Sequence, residues 1–414
     1  MLGRKSPLAR THVDKPDAKA LAVVIAGGGV GALETALALH KLAGDRVKLT
    51  LLAPTADFIY RPMAVLEPFV RRSHRGLSLA KLADELNATL EQDTITAVDC
   101  QRRVLHTGAQ RELPYDVLVI AVGARTSDVL PDALAMDASR MHKSLHGLIE
   151  EIDSGSVRSL ALVAPSPTWP LPVYEVALLV QEHAREKNVY LDVTIITAEQ
   201  RPLAVFGESV SAAVAGILAD ADIEMTAGAR VESSSGELIV HPGEQQLRFD
   251  RVAALPRLAG PAIAGLPADA DGFLPITPHC EVSGIERVYA AGDATDFPVK
   301  YGGIAAQQAN AAAASIAALA GAPTEPAPFD GVVHGFLISG RNQPRLYFTA
   351  RIEGGLTRDS RTSDTPTWSP EAKIAAQYLG PYLDERWGGS ARRWIAGQLS
   401  LQAFLARHRP APDF

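Results

Sequence analysis

Residues 21–39, LAVVIAGGGVGALETALAL, restrict this chain more than any other stretch. An apolar, β-rich run ends in Gly27, Gly28, Gly29, Val30 and Gly31, and an apolar helical pattern starts at Ala32. A strand entering a glycine-rich turn and then a helix is the signature of a dinucleotide site, and each small residue has its own reason. Gly27 allows the tight turn, Gly29 lets backbone approach a pyrophosphate, and Ala32 lets the helix pack close to the strand. The first-turn N–H groups then face the phosphates with the positive end of the helix dipole behind them.

A chain of 414 residues is too long for one ordinary core, so two or three domains are expected. The net charge is −7, and no basic tract with interleaved aromatics occurs, which argues against a nucleic-acid partner. Two cysteines, Cys100 and Cys280, cannot form a disulfide framework and sit in no metal-ligand or CxxC spacing. A reducing, cytoplasmic setting follows as the expectation. The first twenty residues hold basic side chains without an apolar core, and no apolar run reaches membrane-span length.

Residues 47–52 (VKLTLL) read as the second parallel strand. Ala53 then stands where an acid ordinarily holds the adenosine ribose, leaving that job to Asp57, to backbone or to water. Arg71, Arg72, His74 and Arg75 form a basic cluster, read either as a solvated face or as a contact for phosphate or an acidic partner. Short strands with turns are expected over 88–106, and residues 115–123 (YDVLVIAVG) read as a buried strand ending at Gly123. The pattern restarts with strands at 159–164 and 191–197 and helices at 173–186 and 210–219, a second nucleotide-binding-like unit. Its turn holds Pro165, Pro167, Pro170 and Pro172 and no glycine, which removes phosphate-binding N–H donors and makes NAD(P)H doubtful there. Glu199, just past the second strand of this unit, is placed where it could hold a ribose, but as a single exposed acid it reads rather as ordinary surface. Residues 287–293 (RVYAAGD) are a strand ending in Gly292 and Asp293, and a helix follows over 304–319. Asp293 is placed to bind a ribityl chain, and the helix start to face a flavin ring edge. Beyond a proline-rich hinge at 322–327, strands at 332–338 and 345–352 precede a helix over 369–383. The tail at 390–408 is basic and amphipathic, suited to a lipid surface, to its own domain or to a second copy of the chain in a homodimer.

These pieces resemble the two-dinucleotide-domain flavoproteins, in the branch holding sulfide:quinone reductases and type II NADH dehydrogenases. The resemblance rests on GGGVGALE at 27–34, YRP at 60–62, YDVLVIAVGA at 115–124, YE at 174–175, VYAAGD at 288–293 and KYGGIAAQQA at 300–309. It implies an α/β fold with two Rossmann-like, three-layer ββα domains, FAD as cofactor and a C-terminal segment. The implied boundaries are 20–152 and 266–322 for the FAD-binding domain, 153–265 for the second domain and 323–414 for the C-terminal segment. On this resemblance Gly27, Gly29, Gly31, Ala32 and Arg61 hold the cofactor, with Gly123 over it and Gly292 and Asp293 at the ribityl chain. Gly303 and Ile304 lie beside the ring, Lys300 stabilises charge on the reduced ring or a substrate anion, and Gln307 or Gln308 bonds a quinone or the ring edge.

The departures are as informative. Neither cysteine has the activating setting a sulfide-attacking thiol needs, so both are expected to be structural. The resulting expectation is an FAD-dependent oxidoreductase passing electrons from a small donor, NAD(P)H or reduced sulfur, to a quinone-type acceptor, cytoplasmic or peripheral on the inner face of the membrane. The alternative is a flavin-binding partner protein with little turnover.

Overall fold

The computed structural model describes residues 19–69, 76–166, 168–234, 237–340, 346–369 and 372–395. The basic cluster at 71–75 and residues 396–408 of the amphipathic tail lie outside the described residues. The helices are α1 (Val30–Ala43), α2 (Leu79–Glu85), α3 (Met141–Asp153), α4 (Leu171–Lys187), α5 (Glu208–Asp220), α6 (Gly302–Leu319) and α7 (Leu379–Ile395).

The strand Leu21–Ala26 lies at the centre of a five-stranded parallel sheet. Val47–Leu52 pairs on one side and Val117–Ile120 on the other, with Leu21 opposite Val47 and Val23 opposite Val117. Thr89–Glu91 and Val288–Ala290 complete the edges. Parallel strands are covered on both faces, which is why Val117–Ile120 reads as an unbroken apolar run and is buried throughout. On one face α1 packs against α6, whose Ala306, Ala309, Ala312 and Ala313 are fully buried and let the helices approach closely. On the other face Leu105, Leu118, Ile120 and Leu274 form a separate apolar cluster.

The second sheet repeats the plan, in the order Leu134–Ala135, Arg251–Ala254, Ser159–Ala164, Asp192–Thr197, Ile223–Thr226, again all parallel. A three-stranded meander, Arg230–Ser234, Glu237–His241 and Gln245–Leu247, covers one face through Val163, Ile196, Leu238 and Val240. The chain passes between the two sheets twice, and the two passages pair as antiparallel strands, Arg125–Ser127 with Arg257–Ala259. Arg125 Nε adds a bond of 2.9 Å to the Gly260 carbonyl.

The C-terminal segment holds an antiparallel sheet of Val332–Leu337, Leu346–Glu353 and Leu356–Ser363. Its third strand is absent from the sequence expectation because LTRDSRTS is polar and mostly solvated. Gly354 and Gly355, both at positive φ, turn the chain into it. Phe348 packs 4.8 Å from Phe206, seating this sheet on the second domain. The helix expected over 369–383 starts only at Leu379. Residues 372–378 run irregularly instead, because Lys373 and Ile374 are pulled into the interior and the N–H groups of Gln377 and Tyr378 bond a side chain.

Candidate active site

A cavity of about 710 Å³ opens at the carboxyl end of the first sheet. The turn Gly27 to Val30 forms one wall. Gly27 has φ +139°, and a Cβ on it would lie 2.1 Å from the Ala121 carbonyl oxygen, so only glycine fits. Its N–H donates to the Leu52 carbonyl at 2.8 Å. A Cβ on Gly29 would meet nothing within 4 Å, although Gly29 lines the cavity: the space it would enter is the cavity itself. No side chain caps α1, so its first-turn N–H groups are left for a ligand. Gly31 and Ala32 do not line the cavity. Ala32 is fully buried, and a Cβ on Gly31 would lie 3.4 Å from the Ala291 carbonyl oxygen, so both set how closely α1 packs.

Ala53 is buried behind the next wall, while Pro54, Thr55, Asp57, Arg61, Asp93 and Thr94 face the cavity. The structure therefore brings Asp57 and Arg61 onto the lining of the same cavity as the glycine turn. Gly123, at φ +77°, lines the opposite side.

Lys300, Tyr301 and Gly302 line the far end. Lys300 Nζ donates to the Thr295 carbonyl and lies 3.7 Å from the Phe273 ring centroid. Burial lowers the Lys300 ammonium to about 8, against the opposing pull of Asp293 and Asp296. Asp293 is itself raised by burial, with Lys300 opposing. Gly292 and Asp293, expected at the ribityl chain, do not line the cavity, and Asp293 reaches it only through its charge on Lys300. Gln308 fixes that turn, its Oε1 accepting the Gly292 N–H at 2.7 Å and its Nε2 donating to Thr295 Oγ1 at 3.2 Å. Gly303 and Ile304 are buried inside α6 rather than on the lining. Gln307 does not line the cavity either. Its Nε2 donates to the Val332 carbonyl at 2.6 Å and its Oε1 accepts the Val332 N–H at 3.3 Å, so it ties α6 to the C-terminal sheet.

Two site residues escaped the sequence reading as a pair. Lys373 Nζ donates to Glu175 Oε1, and the side chains are only 4% and 1% exposed although both line the cavity. Glu175 Oε1 also accepts the Ile338 N–H at 2.9 Å. Glu175 belongs to the YE motif, but nothing local marks Lys373, which lies 198 residues away. Trp169, Leu171, Pro172, Tyr301 and Ile374 wall this end. The Trp169 ring stands 5.4 Å from Tyr301 and 5.5 Å from Phe206.

The proline-rich turn offers little to a second dinucleotide. Pro170 caps α4 and Pro172 stands in its first turn, and neither has an N–H to donate. Glu199 is not the exposed surface acid expected: it is half-buried, accepts the Tyr174 hydroxyl at 2.6 Å, and is pushed by burial up to about 7. Neither cysteine lines the cavity. Cys280 is fully buried, which pushes its thiol far up, and Cys100 Sγ contacts the Gly265 carbonyl at 3.5 Å. Among the described residues no cluster of metal-ligating side chains occurs, and no helix is long and apolar enough to cross a membrane.

The model of the pyridine nucleotide-disulphide oxidoreductase family matches residues 21–163 and 174–315. The chain belongs to this family. A sulfide-quinone reductase of Aquifex aeolicus (strain VF5) is 23% identical over 192 residues, and that match spans 43% of each chain. Among solved structures, the sulfide:quinone oxidoreductase of Aquifex aeolicus superposes with a TM-score of 0.74 at 20% identity, over 83% of this chain and 87% of that one. Putidaredoxin reductase in covalent complex with putidaredoxin gives 0.62 at 19% identity, over 81% and 82%. The NDH2 of Plasmodium falciparum, solved with NADH, gives 0.53 at 16% identity, over 66% and 64%. At these identities the superpositions establish the two-domain α/β fold. The family's enzymes are FAD-dependent oxidoreductases. This chain's cavity suits FAD: an uncapped helix start, a glycine whose missing Cβ leaves cavity space, and a volume in the range of cofactor sites.

Proposed function

We propose that this oxidoreductase passes electrons from a small reduced donor through FAD to a quinone-type acceptor. The observation that carries the reading is the far end of the cavity, where aromatic and apolar walls surround the buried Glu175–Lys373 pair. Flat apolar walls suit a quinone ring, and a buried acid beside an ammonium can hold or pass a proton at its rim. FAD supplies the redox chemistry when bound. Gly27, Gly29 and the first turn of α1 hold its pyrophosphate, Asp57 faces its adenosine end, and Asp293 acts on the ribityl side through its charge on Lys300. Lys300 offsets negative charge near the ring. The proline-bearing start of α4 favours a donor other than a dinucleotide, and the absence of cysteine from the described cavity lining argues against a thiol relay.

The domains are assigned as 20–152 with 266–322, 153–265 and 323–414. The start of α7 lies on the chain's own first domain, through Tyr382 and Arg386 on Glu85 and Trp387 edge-on to Tyr60 at 6.0 Å. Peripheral contact with the inner face of a membrane, where a quinone pool would be reached, is part of this proposal.

The test is an anaerobic titration of the yellow protein with NADH, NADPH and sulfide, followed by reoxidation with a short-chain quinone. Reoxidation by quinone within a turnover supports the reading. A flavin reduced by dithionite alone and indifferent to quinone would replace it with the flavin-binding partner protein, which the proline-bearing turn also favours.

A further inference from the structure

A second cavity, of about 450 Å³, lies at the carboxyl end of the second sheet and shares no lining residue with the first. Arg230, Arg257 and His241 bring positive or protonatable groups to it, and Ser127 and Ser166 bring hydroxyls. Among the described residues neither Arg230 nor Arg257 has an acidic partner, although most other arginines here are paired. His241 Nε2 is buried without a hydrogen bond, and its nearest acid, Glu232, is 3.8 Å away. Two acids share the lining: Asp128 is already held by Arg140 at 2.7 Å, and Glu232, beside His241, has its side chain 75% exposed to solvent. Val129, Val163 and Val231 supply apolar wall.

We propose that this cleft binds a phosphate monoester carrying a flat apolar group, of nucleoside monophosphate size, and that the ligand acts there without exchanging electrons. Two unpaired guanidinium groups are the donors that match a terminal phosphate bidentately. The carboxyl end of an open parallel sheet is where such ligands seat, and the volume suits one nucleotide rather than two. A dinucleotide finds no cradle: Pro170 and Pro172 offer no N–H, and Glu199, placed to hold a ribose, is engaged by Tyr174. The separate linings keep a bound base away from the redox cavity. The inference does not depend on which donor or acceptor the flavin uses.

Calorimetry on the full-length, flavin-loaded protein tests it, with AMP, adenosine, inorganic phosphate and NADH as probes, and with Arg230→Ala and Arg257→Ala. Both arginines lie at the exposed rim, so unchanged flavin content checks that the variants fold. One AMP per chain is expected, with adenosine and phosphate each weaker by about tenfold or more, and each arginine variant weakening AMP by about tenfold. The flavin band should not change. Absence of AMP binding, or AMP binding unaffected in both variants, overturns the proposal. Phosphate binding as tightly as AMP reduces the cleft to a simple anion site and overturns the nucleoside part. NADH binding tighter than AMP with bleaching of the flavin overturns the separation from electron transfer.

Discussion

The buried carboxylate of Glu34, in α1, accepts the N–H of Leu379, the first residue of α7, at 2.6 Å. It also takes the N–H groups of Tyr378 and Gln377, at 3.1 and 2.8 Å. A side chain on the helix whose start lines the cavity thus caps a helix 345 residues away.

Glu34→Ala should leave the N–H groups of Gln377, Tyr378 and Leu379 without their acceptor, the last of them buried, and cost about 1–3 kcal/mol. Urea unfolding measures the loss, and limited proteolysis should find α7 released first. Burial raises the Glu34 carboxyl above its ordinary value. Its contribution is therefore fully present below the unfolded value and fades as pH rises through the folded one, so the penalty of the alanine variant should be larger at pH 5 than at pH 8.

Gly27→Ala and Gly29→Ala should separate folding from cofactor binding. The first drives a methyl into the Ala121 carbonyl at a φ that alanine resists, and should lower stability by about 3 kcal/mol or prevent folding. The second places its methyl in cavity space, so the apoprotein should melt as wild type while FAD content falls. A wild-type flavin-to-protein absorbance ratio in Gly29→Ala would remove Gly29 from the cofactor wall.

Lys300 is lowered from 10.5 to about 8. Between those values the unfolded chain binds more protons than the folded one, so stability from this group rises with pH across the window. Lys300→Met should flatten that rise. In the loaded enzyme, loss of the ammonium above about pH 8 should slow flavin reduction, and stopped-flow rates from pH 6.5 to 9.5 should lose this step in the methionine variant.

Removing one member of the buried pair, by Glu175→Leu or Lys373→Met, should cost about 3–5 kcal/mol, because the remaining buried charge loses its counter-charge. The double variant should recover much of that stability. If quinone reoxidation recovers with it, the pair is structural only. A reoxidation rate still reduced at least about tenfold, an added barrier of about 1.4 kcal/mol, assigns it a role in proton handling.

Much of the fold was legible because its signals are local. The run into Gly27, the buried strand Val117–Ile120 and the Ala-rich α6 each carry their periodicity within twenty residues. The relations that fix the site are not local. Lys373 looks like a surface lysine until Glu175 meets it, and Glu34 looks like a solvated helical acid until the backbone near Leu379 arrives. Gln307 sits in the motif that suggested ring contact, yet one helical turn turns its amide toward Val332. Helix periodicity over 369–383 was overridden by burial of Lys373 and Ile374.

The paired passages Arg125–Ser127 and Arg257–Ala259 join the two domains by one two-stranded ribbon rather than by two separate tethers. With separate linkers the second domain could twist and slide independently of the first. Hydrogen-bonded to each other, the linkers resist such independent motion, and the one ribbon carries Arg125 to the first cavity and Arg257 to the second cleft.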